Sequence, residues 1–329
     1  MSRTRSLFNY GPTNVGKSTT ILHTAFQFAD VPAWAKIAKK AGIPDEQPMV
    51  TVIDADGLLE PLLDELEEVP SNLDIRSTRG MPPLLQAYKI LYGSEEMVSQ
   101  RIKDKGQIVP EHVFDLGVKS AGLIAWYQAQ QVAIAKAYGL EYSEITLPHW
   151  ACIERLGFWR EYSEAAMIEK LSEAKDNLGL YALQKAGDPQ KDATGTDFSP
   201  GQWTRIKTIT NGIIQKTMKE LPVNTLVTAA GAPIPTKRDG SPLWDVDPIF
   251  ERTGCRPLCQ GDVPGNAEVI LFLRKIGKQH EWTPVKHKGV LKNETKYFPW
   301  NANDENFWEN FFAQEGTPLD TVPGLPQVK

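Results

Sequence analysis

Residues 11–18 form a glycine-rich loop that constrains this chain more than any other segment. They read G-P-T-N-V-G-K-S and fit the pattern G-x-x-x-x-G-K-[ST] in full. Two glycines permit backbone angles that turn N–H groups toward phosphate, and a helix starting near Lys17 adds its positive end. We expect Lys17 to reach the β- and γ-phosphates of ATP and the Ser18 hydroxyl to bind Mg²⁺. The predicted nucleotide-binding residues are Gly11, Pro12, Thr13, Asn14, Val15, Gly16, Lys17, Ser18 and Thr19.

Strands alternate with helices around this loop. A short strand over residues 6–10 precedes it, and residues 49–54, M-V-T-V-I-D, form an apolar, β-branched run typical of a strand buried on both faces. Long helices are predicted over 117–138, 163–185 and 200–221. This alternation predicts an α/β fold with a mostly parallel central sheet flanked by helices.

Composition excludes several classes of protein. No apolar run approaches the roughly 20 residues that a membrane-spanning helix needs. Three cysteines cannot form a disulfide framework, which favours a cytoplasmic protein, in the host cytoplasm if the source is viral. The net charge of -5 does not argue against DNA, because residues 45–75 hold ten acids and no Lys or Arg, whereas residues 274–296 hold seven basic residues against two acids.

Four further segments resemble core segments of RecA-type recombinases. They are residues 50–62, V-T-V-I-D-A-D-G-L-L-E-P-L, residues 70–88, P-S-N-L-D-I-R-S-T-R-G-M-P-P-L-L-Q-A-Y, residues 264–277, P-G-N-A-E-V-I-L-F-L-R-K-I-G, and residues 289–294, G-V-L-K-N-E. The arrangement is most similar to phage RecA-fold ATPases of the single-strand-annealing type. The resemblance implies a RecA-like P-loop NTPase core in residues 1–92 and 200–300. Residues 93–199 are interpreted as a largely helical insertion and 301–329 as an aromatic, Pro-rich tail.

The resemblance also implies roles for individual residues. Asp56 matches the family's carboxylate that orients and deprotonates the attacking water, although the family has glutamate there. Ala230 stands where the family places a Gln or His that senses the γ-phosphate. Lys292 matches a lysine that reaches a neighbouring subunit's phosphates, Glu294 replaces the second such lysine, and Lys296 is a candidate substitute.

The resemblance further implies DNA, chiefly single-stranded, as partner and a filament or ring of identical subunits, with no membrane. Lys237, Arg238 and Trp244 fall in the segment that corresponds to a DNA-binding loop. An aromatic ring beside cations suits stacking on bases together with attraction to phosphates. The resemblance therefore predicts a DNA-dependent ATPase that acts in recombination, annealing or repair.

Two residues are candidates for the acid that completes the predicted magnesium site. Asp115 follows a short apolar stretch in E-H-V-F-D-L-G, but aspartate is also a favoured helix cap. Asp54 ends the run M-V-T-V-I-D, and its use would imply a different strand order and another class of P-loop protein, such as a packaging or helicase-like motor or a kinase. A third alternative is a nucleotide-binding assembly protein with little hydrolysis.

A zinc site is a weaker alternative. Cys255 and Cys259 with His280 and His287 could supply ligands, but structural zinc sites use tighter paired spacings. Ordinary thiols are the preferred interpretation.

Overall fold

The structure of this chain is a computed structural model. It describes residues 5–28, 31–44, 49–55, 57, 59–78, 83–159, 161–164, 200–215, 217, 221–242, 248–259, 264–277, 279–287, 298–300 and 308. The strands are β1 (Ser6–Gly11), β2 (Val50–Asp54), β3 (Leu73–Ser77), β4 (Trp150–Glu154), β5 (Asn224–Pro233), β6 (Cys255–Pro257), β7 (Val269–Ile276), β8 (Gln279–His287) and β9 (Phe298–Trp300). The helices are α1 (Lys17–Gln27), α2 (Pro32–Ala41), α3 (Leu59–Leu63), α4 (Pro83–Tyr92), α5 (Glu95–Lys103), α6 (Pro110–Ala121), α7 (Leu123–Tyr138), α8 (Pro200–Gln215) and α9 (Pro248–Glu251).

Eight strands form one mixed sheet in the order β3-β2-β4-β5-β1-β7-β8-β9, and β6 pairs with the end of β5. The strands from β3 to β7 along this order are parallel, whereas β8 and β9 are antiparallel. The predicted α/β fold with a mostly parallel sheet flanked by helices is confirmed. The predicted strand over 49–54 is also confirmed, since every residue of β2 is buried.

The sheet corrects the interpretation of residues 93–199 as an insertion outside the core. Helices α5, α6 and α7 do occupy much of that range, but β4 lies within it as well. Strand β4 pairs in parallel with β2 on one side and with β5 on the other. The range therefore supplies a central strand, whose four apolar residues before Glu154 suit burial on both faces.

Side chains that alternate along the strands build a hydrophobic core on each face of the sheet. On β1, Leu7 packs with α1 in one core, and Phe8 and Tyr10 pack in the other with helices that include α2 and α7. The same alternation separates Val52 from Ile53 on β2. The loop at residues 11–18 leads directly into α1, which packs on the face of the sheet that carries Leu7.

The helix predicted over 117–138 is wrong in its boundaries. The structure contains α6 and α7 instead, which meet at Gly122 with φ 77°. A Cβ on Gly122 would lie only 2.3 Å from the backbone nitrogen of Gly93, so this contact requires glycine. Gly117, with φ 73°, forms a further kink inside α6.

Among the described residues, no helix is both long enough and apolar enough to cross a membrane.

His149 is a buried neutral histidine that ties β4 to its surroundings. Its Nδ1 accepts a hydrogen bond from the backbone N–H of Met49 at 2.8 Å, and its Nε2 lies 2.7 Å from Oε1 of Gln130, to which it donates. Burial lowers the pKa of His149 to about 3. Protonation of Nδ1 would replace an accepted hydrogen bond with a repulsive contact between two N–H groups.

We expect the free energy of unfolding to fall between pH 6.5 and pH 3 because of His149. The unfolded chain binds a proton with a pKa near 6.5 and the folded chain does not, so stability decreases by up to about 1.4 kcal/mol per pH unit. Urea denaturation at several pH values, compared with His149→Gln, measures this slope. An identical pH dependence in the variant would contradict the assignment.

Candidate functional site

The candidate site lies where the carboxyl ends of β1, β4 and β5 meet. These parallel strands are neighbours, with β5 between the other two. Ligands of open α/β sheets bind in the crevice outside such strand ends. The topology therefore brings residues from three distant parts of the sequence to the mouth of the glycine-rich loop.

The loop has the backbone that its sequence predicts. Gly16 adopts φ 87° and ends the loop as the N-cap of α1, where it has no side chain to occupy the first N–H groups of the helix. Asn14 also has positive φ, at 59°. Gly11 is fixed by close packing, because a Cβ there would lie 2.1 Å from the carbonyl oxygen of Leu273. Pro12, Thr13 and Asn14 are exposed, so the tip of the loop faces solvent.

Lys17 is folded back over the loop. Its Nζ donates hydrogen bonds to the carbonyl oxygens of Gly11 at 3.1 Å and Pro12 at 2.5 Å. Burial lowers the pKa of Lys17 to about 8, while Glu154 acts to raise it and Arg155 to lower it. The ammonium group is thus held at the centre of the loop with carbonyl oxygens as its partners, and a phosphate would offer it stronger, charged acceptors.

Ser18 meets a carboxylate that sequence reasoning missed. Its Oγ donates to Oε1 of Glu154 at 2.6 Å, and Thr228 Oγ1 donates to Oε2 of the same carboxylate at 2.7 Å. Glu154 is the last residue of β4 and is fully buried. One hydroxyl from α1 and one from β5 therefore hold the carboxylate beside the loop.

The signal for Glu154 was present in the sequence. The run W-A-C-I-E, residues 150–154, is apolar and ends in an acid, as β2 does. Its acid is a glutamate, whereas both acids proposed from the sequence are aspartates. The run also lay inside the range interpreted as an insertion.

The acid that contacts Ser18 is neither of the two proposed from the sequence. Asp115 is an exposed residue within α6, so it does not end a strand. Asp54 ends β2 and is aligned with Glu154 in the sheet, but it accepts hydrogen bonds from the backbone N–H groups of Gly57 at 3.0 Å and Leu59 at 3.3 Å. Asp54 thus closes the turn that leads into α3, whereas Glu154 is the acid that contacts Ser18.

A buried polar path supports the loop from beneath. Asn9 on β1 donates from Nδ2 to Thr20 Oγ1 at 3.0 Å, and Thr20 Oγ1 donates to the carbonyl oxygen of Lys17 at 2.6 Å. Trp308 donates from Nε1 to Thr24 Oγ1 at 2.9 Å and to the carbonyl oxygen of Thr20 at 3.1 Å. Helix α1 is therefore fixed both to the sheet and to one residue of the C-terminal segment.

Arg155, directly after Glu154, has an unusual backbone. Its φ is 51°, and its N–H donates to Thr228 Oγ1 at 2.9 Å. The guanidinium carbon lies 4.6 Å from the centre of the Phe158 ring. Because its charge also lowers the pKa of Lys17, the Arg155 side chain belongs to the electrostatic surroundings of the loop.

Ala230 lies beside the first glycine of the loop. The two are aligned across β1 and β5, and the carbonyl oxygen of Ala230 accepts a hydrogen bond from Leu258 N–H at 2.7 Å. A methyl side chain cannot hydrogen-bond to phosphate. The residue aligned with Gly11 therefore offers only a methyl group at this edge of the site.

The other predicted residues are only partly covered. Lys237 and Arg238 are exposed in a turn closed by hydrogen bonds from Lys237 N–H to Ser241 O at 2.7 Å and from Gly240 N–H to Lys237 O at 3.0 Å. The remaining predicted site residues, Asp56, Trp244, Lys292 and Lys296, lie outside the described residues.

Within the described ranges, no group of three or more His, Cys, Asp or Glu side chains is arranged to hold a metal ion. Cys255 is buried and Cys259 is half-buried, and neither of these two described residues is in a disulfide. The Ser18 hydroxyl and the Glu154 carboxylate fit Mg²⁺ in another way, because Mg²⁺ binds one or two protein oxygens and takes its other ligands from water and phosphate.

No protein-family model matches this chain, and no curated protein matches it in sequence.

We expect Thr228→Val to destabilise the fold by about 1–3 kcal/mol, because it removes a donor to the buried Glu154 carboxylate and an acceptor for Arg155 N–H at once. Thr228→Ser keeps the hydroxyl and is the matched control. Chemical denaturation of both variants measures the difference. Equal stability of the valine and serine variants would show that the hydrogen bonds contribute little.

Proposed function

We propose that this chain binds ATP with Mg²⁺ and hydrolyses it, as a RecA-like ATPase that acts on single-stranded DNA. The observation that carries the proposal is the 2.6 Å hydrogen bond between Ser18 Oγ and Glu154 Oε1. It joins the final serine of a complete phosphate-loop motif to a buried carboxylate on another strand, beside Lys17. Oxygen ligands and a lysine at this spacing suit a magnesium-bound triphosphate.

Each residue has a defined task in this proposal. The N–H groups of the loop and the first turn of α1 bind the phosphates. Lys17 exchanges its loop carbonyls for phosphate oxygens and offsets their charge. Ser18 and Glu154 hold Mg²⁺, which supplies charge neutralisation for phosphoryl transfer. Asp56, two residues after the end of β2, remains our candidate for orienting the attacking water.

The position of the acid favours a RecA-like protein over the alternative based on Asp54. That alternative needs the carboxylate of β2 at the magnesium site, but Asp54 binds the backbone of the turn before α3. The acid beside Ser18 comes from β4 instead, which is separated from the loop strand β1 by β5. The RecA-like part of the proposal itself comes from the segments of sequence resemblance.

We expect Lys17→Ala and Glu154→Gln each to lower ATP turnover by at least about 100-fold. The first variant removes a cation that offsets phosphate charge, and the second weakens the binding of the Mg²⁺ that neutralises it. Asp115→Asn is the matched control, since Asp115 is an exposed acid in α6, and it should keep wild-type turnover. Steady-state phosphate release measures all three. Normal turnover in Lys17→Ala would refute the proposed activity.

DNA as a partner is supported by the resemblance and by the exposed turn that carries Lys237 and Arg238. We expect single-stranded DNA to stimulate turnover, and its binding to weaken as salt increases. Changing both residues to Gln should reduce the slope of log affinity against log salt by roughly 1.4 if each contacts one phosphate. Turnover that is indifferent to DNA would favour another P-loop enzyme.

A second candidate function is nucleotide-dependent assembly with little hydrolysis. Ala230 favours it, because the residue next to Gly11 lacks a group that could respond to the γ-phosphate. The same assay separates the two functions. ATP binding and subunit association without phosphate release would support the assembly protein, and DNA-stimulated release would support the ATPase.

A further inference from the structure

Arg155 has a backbone conformation that its residue type does not favour. Among the described residues, only Asn14, Lys105 and Arg155 have positive φ without being glycine. Asparagine tolerates this region, and Lys105 lies in an exposed turn after α5. Arg155 is different, because it is half-buried and directly follows the acid that contacts Ser18.

The surroundings hold Arg155 in this conformation from both sides. Its N–H donates to Thr228 Oγ1, the hydroxyl that also donates to Glu154. The next residue, Leu156, donates its N–H to the carbonyl oxygen of Thr228 at 2.8 Å. The Thr228 hydroxyl, which positions Glu154, thus also maintains a backbone conformation that is costly for arginine. Backbone strain of this kind concentrates at functional sites.

The guanidinium group is also supported by stacked rings. It lies over Phe158, whose ring stacks on Tyr162 with centroids 5.8 Å apart. Tyr162 donates from its hydroxyl to the carbonyl oxygen of Ala55 at 3.0 Å, in the turn after β2. Arg155 is therefore linked through Phe158 and Tyr162 to Ala55 after β2, and it directly follows the acid that contacts Ser18. Its charge also acts on Lys17 in the glycine-rich loop.

We propose that Arg155 contacts the terminal phosphate of a bound nucleoside triphosphate and thereby distinguishes triphosphate from diphosphate. The inference rests on the proposed nucleotide site and adds a function that the resemblance does not assign to this position. A planar guanidinium donates two parallel hydrogen bonds to phosphate oxygens. Arg155 supplies the response to the γ-phosphate that Ala230 lacks.

The test compares Arg155→Gly with Lys105→Gly. Both variants remove one positive charge and relieve a positive φ, so both should keep or raise the melting temperature. Binding of ADP and of β,γ-imido-ATP with Mg²⁺ is measured by titration calorimetry. We expect Arg155→Gly to weaken binding of the triphosphate analogue at least about tenfold and that of ADP less than twofold, whereas Lys105→Gly changes neither.

The possible results distinguish a failure of this inference from a failure of the proposed nucleotide-binding function. If the wild-type chain binds neither nucleotide, the proposed function fails. If the wild type binds nucleotide and Arg155→Gly weakens both ligands equally or neither, only the inference on Arg155 is overturned. Should the glycine variant not fold, Arg155→Gln retains a long polar side chain and is judged by the same ratio of affinities.

Discussion

The hydrogen-bonded carboxylate of Glu154 is the interaction on which the rest of the site depends. It accepts from Ser18 on α1 and from Thr228 on β5, while its own strand pairs with β2 and β5. A buried carboxylate without donors would cost several kcal/mol, so both hydroxyls are needed where they are. Three segments far apart in sequence are thereby held in one arrangement at the mouth of the loop.

This arrangement supports our proposal that the glycine-rich loop binds an anion. Lys17 rests on two backbone carbonyl oxygens, its pKa is lowered to about 8 by burial, and the first turn of α1 has no side-chain cap from Gly16. A phosphate ligand would satisfy the helix N–H groups and provide the ammonium with charged partners at the same time. The proposed roles of Ser18, Glu154 and Arg155 are all defined relative to a phosphate bound at this loop.

Local sequence patterns predicted individual strands and helices better than they predicted which of these elements contact one another. The loop and β2 could be predicted because glycine spacing and β-branched runs act over a few residues. The break between α6 and α7 could not, since it depends on the close contact of Gly122 with Gly93. The role of β4 was missed for a similar reason, because five residues among helices give no sign that they pair between β2 and β5.

The sequence by itself determined that a glycine-rich loop follows a buried strand and leads into a helix, because the motif at residues 11–18 is contiguous and its geometry is set by glycine. Only the tertiary structure decided which acid meets Ser18. Asp54 and Glu154 each end an apolar run in the sequence, so the runs alone do not choose between them. Strand order brings β4 and Glu154 to the loop, whereas Asp54 binds a turn and Asp115 is exposed on a helix. A contact between residues 136 positions apart is fixed by the sheet as a whole and by no local signal.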